Sequence, residues 1–153
     1  MLNPTGKSPQ PPLLCLGCLL AGWGLGFLKA LPTHLPDGLR ISLCAGLWLG
    51  GVALGSWAWL TFKRHATTPE PSGVASVLLT VGPFRHTRNP LYLSLSGLLA
   101  GFGLMLDSLW VMLLTPVLMV LLDRLVIARE EARLLTQFGE VYAAYRRQVR
   151  RWL

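Results

Sequence analysis

Charge is what this chain has least of. Asp, Glu, Lys and Arg make up 14% of its 153 residues against 52% hydrophobic, where a soluble globular domain carries about a quarter charged. Mean hydropathy is +0.50. This composition excludes an ordinary soluble domain and points to an integral membrane protein. Acidic residues are scarcer than basic ones, 7 against 14, for a net charge of +7. In so apolar a chain the excess marks anionic headgroups and topology, not nucleic acid. Cysteine is limited to Cys15, Cys18 and Cys44. The first two form a C-x-x-C, but zinc or a redox pair needs further ligands or an exposed setting, so both read as small packing residues and no metal is expected. Met1 to Pro12 lacks the small-residue cleavage site of a secretory signal and reads as a disordered cytoplasmic start.

What is present is a series of apolar runs. The expected fold class is all-α: an integral membrane helical bundle of about four spans with a C-terminal interfacial amphipathic helix, in a single membrane domain over 1–153. The spans are expected at about 13–31, 39–62, 90–106 and 109–128, with a polar connector over 63–89 and an amphipathic tail over 129–153. In the second span Gly46 with Gly50, and Gly51 with Gly55, form small-x-x-x-small pairs suited to helix packing, and Trp57 and Trp59 suit an interfacial belt. Val74 to Val81 is too short to span and reads as interfacial or re-entrant, covered by protein. Asp107-Ser108 predicts a tight antiparallel hairpin, and Pro116 predicts a kink that frees the carbonyl of Met112.

Polar chemistry concentrates in Gly82-Pro83-Phe84-Arg85-His86-Thr87-Arg88-Asn89-Pro90-Leu91-Tyr92. Asn is a favoured N-cap, Pro is favoured at the first helical position, and Pro pushes the preceding residue out of the α region, so a helix starts here. Its free N–H groups, beside Arg85 and Arg88, would receive a carboxylate or phosphate. The competing reading is a basic loop that obeys the positive-inside rule. Tyr92 is either an interfacial anchor or a ligand contact. Glycines at 97, 101 and 103 read first as helix packing.

Beyond the fourth run Leu134, Leu135, Phe138, Val141, Tyr142, Tyr145, Val149 and Trp152 recur at helical spacing among arginines, the pattern of an amphipathic interfacial helix that Gly139 would interrupt. Glu130 and Glu131 at its start either pair with Arg124, Arg129 or Arg133 on the same helix or bind a ligand. Basic residues crowd the connector and the tail, while the third loop holds only Asp107. Both termini are therefore expected on the cytoplasmic side, which puts the 82–92 stretch and Glu130-Glu131 on one membrane face.

Gly82-Pro83-Phe84, then Arg88-Asn89-Pro90-Leu91-Tyr92-Leu93, then Glu130-Glu131, then Phe138-Gly139-Glu140-x-Tyr142-x-x-Tyr145 and a basic end resemble the C-terminal core of the isoprenylcysteine carboxyl methyltransferase and phospholipid methyltransferase families. The likeness covers roughly Thr80 to Trp152. It implies an integral membrane methyltransferase that uses S-adenosylmethionine and acts on a lipophilic small-molecule or lipid acceptor, isoprenylcysteine carboxylate-like or phospholipid amine-like, among membrane lipids. The family's Arg-His-Pro element, later Tyr and Glu-Glu pair imply cofactor contacts at Arg88, Asn89, Pro90, Tyr92, Glu130 and Glu131, with Asn89 in place of the family histidine. The phospholipid branch's Gly-x-Gly implies Gly101 and Gly103. Without the extra N-terminal spans of the large eukaryotic carboxyl methyltransferases, the resemblance implies a minimal family member.

Given such a donor, Arg88 or the helix N-terminus would take its carboxylate, and Glu130 or Glu131 its hydroxyls or ammonium. A carboxylate acceptor needs only a moderating cation, Arg85 or Arg88; an amine or thiol needs a base, for which His86, Glu130 and Glu131 qualify. Two other readings stay open: a nicotinamide-dependent membrane reductase resembling sterol reductases, and a non-catalytic small membrane protein or transporter.

Overall fold

The computed structural model describes residues 9–65 and 77–153, and among them every regular element is helical. Helix α1 spans Pro11–Leu28 and α2 spans Asp37–Arg64; a 3-10 turn covers Gly82–Arg85; α3 spans Pro90–Met105 and α4 Leu109–Leu122; a π-helical segment, Asp123–Ile127, continues directly into α5, Ala128–Gln148. Three helices are long and apolar enough to cross a membrane: α1, α2, and the 40-residue run Leu109–Gln148 that joins α4 to α5. Helix α3 is apolar but has only 16 residues, about 24 Å of rise against a hydrocarbon core of about 30 Å. It compensates by being the enclosed helix. It packs along α2 on one side and α4 on the other, while α1 lies against α4.

Small residues decide where these helices touch. A Cβ added to Gly55 would stand 2.8 Å from Ser94 Oγ, and one on Gly51 would press on Leu98, so this glycine pair lets α3 approach α2. Ser94 uses that proximity to donate a 2.7 Å hydrogen bond to the carbonyl of Gly51. Gly46 and Gly50, the second pair expected to pack, have open space where a Cβ would be. Gly101 fits the ring of Trp48 and Gly103 fits Met112. The main core runs through Cys18, Leu99, Val111, Leu118, Leu122, Val126 and Ile127, with Cys15 packed against it, so both cysteines are packing residues as expected. Leu13, Leu20, Phe27, Leu49, Val52 and Val120 point outward, an apolar belt suited to lipid.

At one end of the bundle the first and third loops are tied together. Asp107, with φ +48°, turns the chain between α3 and α4, and Ser108 caps α4 by accepting from the Val111 N–H, the predicted hairpin. The Asp107 carboxylate accepts from both the N–H and the hydroxyl of Thr33, and Trp110 Nε1 donates to the carbonyl of Lys29 at 2.8 Å. Arg40 reaches the carbonyl of Leu104 at 3.1 Å, where a cation joins the Asp107 N–H on a carbonyl at the negative end of α3.

Several expectations need adjusting. Helix α1 already begins at Pro11; the rest of the expected disordered start, through Ser8, falls outside the described residues, as do Ala66 to Gly73 and the first part of the Val74–Val81 run. Within that run Val77 to Val81 is not helical, and Leu79 is buried against Ala58 and Phe84. Pro116 lies inside α4 without ending it, and a π-helical segment follows at Asp123–Ile127. Gly139 does break α5, with φ +52° and ψ −127°, a conformation that side chains with a Cβ avoid. The amphipathic helix stops at Gln148 instead of running through Trp152. Val149 is extended, and Trp152 packs on the main core, as Tyr92 does.

Candidate functional site

At the opposite end of the bundle, the four-residue 3-10 turn that precedes α3 has to be held by something, because such turns are weak by themselves. Two devices hold it. Phe84 is buried edge-on against Phe62 at 5.3 Å, and its carbonyl accepts a 2.7 Å hydrogen bond from the Tyr145 hydroxyl. The backbone of the C-terminal segment then lies along residues 87–89: the Arg88 N–H donates to the carbonyl of Arg150 at 3.0 Å, while Thr87 Oγ1 and Asn89 Nδ2 both donate to the carbonyl of Arg151, at 3.2 and 2.9 Å.

Asn89 thus occupies the N-cap position without capping. Its φ of −130° and ψ of 57° lie outside the α region, as Pro90 demands, and α3 starts where expected. The amide, however, is spent on the tail instead of on the first turn of the helix.

Arg88 and Tyr92 project from this region towards the start of α5, where the acidic pair stands. Arg88 Nη1 is 2.8 Å from Glu131 Oε1, and both side chains are nearly enclosed, 11% and 9% exposed. Tyr92 donates a 2.6 Å hydrogen bond to Glu130 Oε1. The expected meeting of the 82–92 stretch with Glu130-Glu131 is therefore made by contact. Glu131 pairs not with arginines of its own helix but with Arg88 and with Arg151, whose guanidinium also holds Asp123 Oδ1 at 2.9 Å. Two carboxylates and two guanidiniums interleave, which is how a charge cluster tolerates removal from water.

The charge states follow from these partners. The hydrogen bond to Glu131, followed by that to Asp123, pushes the Arg151 guanidinium further towards its cationic form, against the opposing effect of burial. Burial pushes the Glu130 carboxyl up to about 7; the Tyr92 hydrogen bond and the charge of Arg133 oppose that rise, and Glu131 adds to it. Tyr142, buried beside Arg88 and Glu131, is raised chiefly by burial and then by the Glu131 charge. Arg88 has capacity left over. Its Nε and Nη1 are buried, and neither has a protein hydrogen-bond partner with good geometry, although Nη1 is close to the Glu131 carboxylate.

Other expected site residues lie elsewhere. Arg85 and His86 are exposed on the loop, His86 beside the Trp57 ring at 6.4 Å. Gly101 and Gly103 lie nine and eleven residues along α3 from Tyr92, about 14–16 Å away. There they serve contacts with Trp48 and Met112, so packing accounts for them. Conversely, Thr87, Asp123, Tyr142 and Arg151 belong to the cluster and had no assigned role. Asp123 offered the one readable signal, since a carboxylate at the end of an apolar run requires a cationic partner. A shallow depression of about 340 Å³, lined by Ala132, Arg133, Thr136 and Gln137, lies further along α5 and includes none of the cluster.

No curated protein and no solved structure matches the chain. A model of the phospholipid methyltransferase family does match, over residues 39–141. The matched region contains Arg88, Tyr92, Glu130 and Glu131, and stops short of Tyr142 and Arg151. On the evidence of that match, which covers most of the chain, this is a member of the phospholipid methyltransferase family.

Proposed function

We propose that this chain transfers a methyl group from S-adenosylmethionine to the headgroup amine of a phospholipid at the cytoplasmic face of a membrane. The observation that carries this reading is the presence of a buried Arg88 Nε with no protein hydrogen-bond partner at the same end of the bundle as the Tyr92–Glu130 hydrogen bond. A donor of this kind offers a carboxylate, an ammonium and two ribose hydroxyls. Arg88 has hydrogen-bonding capacity for the carboxylate, and the Tyr92–Glu130 pair can take hydroxyls or the ammonium. The residues present fit the group.

When bound, S-adenosylmethionine supplies an electrophilic methyl carbon and leaves a neutral thioether. The protein's own task is placement and proton handling. Glu131, fixed between Arg88 and Arg151, keeps the Arg88 guanidinium in one orientation. Glu130 suits a proton acceptor near neutral pH, because burial brings it to about 7, and an ammonium headgroup must shed a proton before its nitrogen can form a bond. Arg85 and His86, exposed on the loop that precedes Arg88, would face the lipid phosphate and assist that proton's departure. The basic connector and tail favour the cytoplasmic side, and the acceptor would enter laterally from the bilayer.

Purified protein in detergent should bind S-adenosylhomocysteine with a calorimetric signal and, with labelled donor, methylate vesicles containing phosphatidylethanolamine. Labelling of a farnesylated cysteine instead would move the acceptor to a carboxylate. Binding of a reduced nicotinamide nucleotide, with none of S-adenosylhomocysteine, would replace the methyltransferase reading with a reductase.

A further inference from the structure

Glu131 is oriented mainly by a residue outside the matched region. Arg151 bonds the carboxylate through two nitrogens, Nε to Oε1 at 3.1 Å and Nη2 to Oε2, whereas Arg88 approaches one oxygen. The remaining terminal nitrogen of Arg151 is held by both oxygens of Asp123, at 2.9 and 3.1 Å. Its backbone carbonyl meanwhile accepts from Thr87 and Asn89. One residue of an extended C-terminal segment therefore contacts the π-helical segment, the start of α5 and the loop that carries Arg88. Only a planar guanidinium fork can serve two carboxylates in this way; an ammonium acts as a point charge.

We infer that Arg151 is a positioning residue for the donor site. By clamping the Glu131 carboxylate, which holds Arg88 Nη1, it sets the direction in which Arg88 presents its unpartnered Nε, and Asp123 holds the clamp in turn. This rests on the reading that Arg88 binds the donor. A side chain that merely fastened the tail would contribute to stability and leave donor affinity alone.

The test measures S-adenosylhomocysteine affinity by calorimetry, and thermal stability in the same detergent, for the full chain and four variants. Arg151→Met should weaken binding about tenfold, the scale of a small misplacement at a site, and Arg151→Lys should recover part of that loss. Arg150→Met, one residue away with an exposed side chain, should stay within about twofold, the scatter of a surface change. Asp123→Asn, which loosens the clamp without touching Arg151, should fall between, and supplies the answer if Arg151→Met does not fold. Unchanged affinity in both Arg151→Met and Asp123→Asn, or equal losses in Arg151→Met and Arg150→Met, would overturn the inference while leaving the methyltransferase reading intact. Failure of the unmodified protein to bind would overturn both.

Discussion

Tyr92 Oη stands 2.6 Å from Glu130 Oε1, so the first turn of α3 is bonded to the first turn of α5. Burial holds this carboxyl at about 7 despite the tyrosine's opposing pull. A carboxyl whose folded pKa exceeds its unfolded value, about 4.3, contributes fully below the unfolded value and loses that contribution as pH rises through the folded one. The melting temperature of the wild type should therefore match that of Glu130→Gln near pH 5 and fall below it by on the order of 5 °C at pH 8. Tyr92→Phe should move the midpoint of that divergence upward, because the lost hydrogen bond favoured the carboxylate. Parallel melting curves for wild type and Glu130→Gln across this range would refute the assignment.

Arg88 pairs with a nearly enclosed carboxylate, and breaking a buried pair from one side leaves the other charge under-compensated. Arg88→Met should cost about 3 kcal/mol in denaturation measured in detergent and also lose S-adenosylhomocysteine binding. Arg150→Met should cost less than about 0.5 kcal/mol. Similar small effects from both would reduce Arg88 to a topogenic charge.

Gly101 and Gly97 lie one helical turn apart in α3 and should answer differently to the same change. A methyl group at 101 would lie 2.2 Å from the Trp48 ring, while at 97 the nearest atom, the carbonyl oxygen of Leu47, is 4.0 Å away. Gly101→Ala should destabilise by about 1–3 kcal/mol through overpacking; Gly97→Ala should be neutral or gain up to about 1 kcal/mol of helix propensity. If Gly101→Ala abolished ligand binding with no loss of stability, its role would be ligand contact and not packing.

Much of this arrangement was legible without coordinates because it depends on local signals. Asn89-Pro90 marks a helix start, Asp107-Ser108 a hairpin and Gly139 a break through backbone preferences that act within a few residues, and each stands where predicted. That the 82–92 stretch and Glu130-Glu131 stand at one end of the bundle followed from counting spans and charges; the Arg88–Glu131 pair itself did not. The partners that complete the cluster were not legible. Trp152 continues the helical spacing of Tyr142 and Tyr145, yet the chain leaves the helix at Val149 because the carbonyls of Arg150 and Arg151 find donors on residues 87–89. Periodicity carries no information about a competing hydrogen-bond surface more than 60 residues away. For the same reason Asn89 has the right residue type for a cap and a different employment.

The five residues Asp123–Ile127 wind as a π-helix between α-helical neighbours. Such a turn takes up one residue more than an α-turn, and each residue of an α-helix advances the facing direction by about 100°. Everything beyond the segment is thereby rotated relative to the lipid-facing pattern of α4. Were those five residues to relax to α-helical winding, α5 would keep its sequence and its axis, but Glu130 and Glu131 would swing about a quarter-turn off Tyr92 and Arg88. The acidic pair is aimed by a residue count: deleting one residue from the middle of this segment would let it return to α-helical winding with both carboxylates still facing Tyr92 and Arg88.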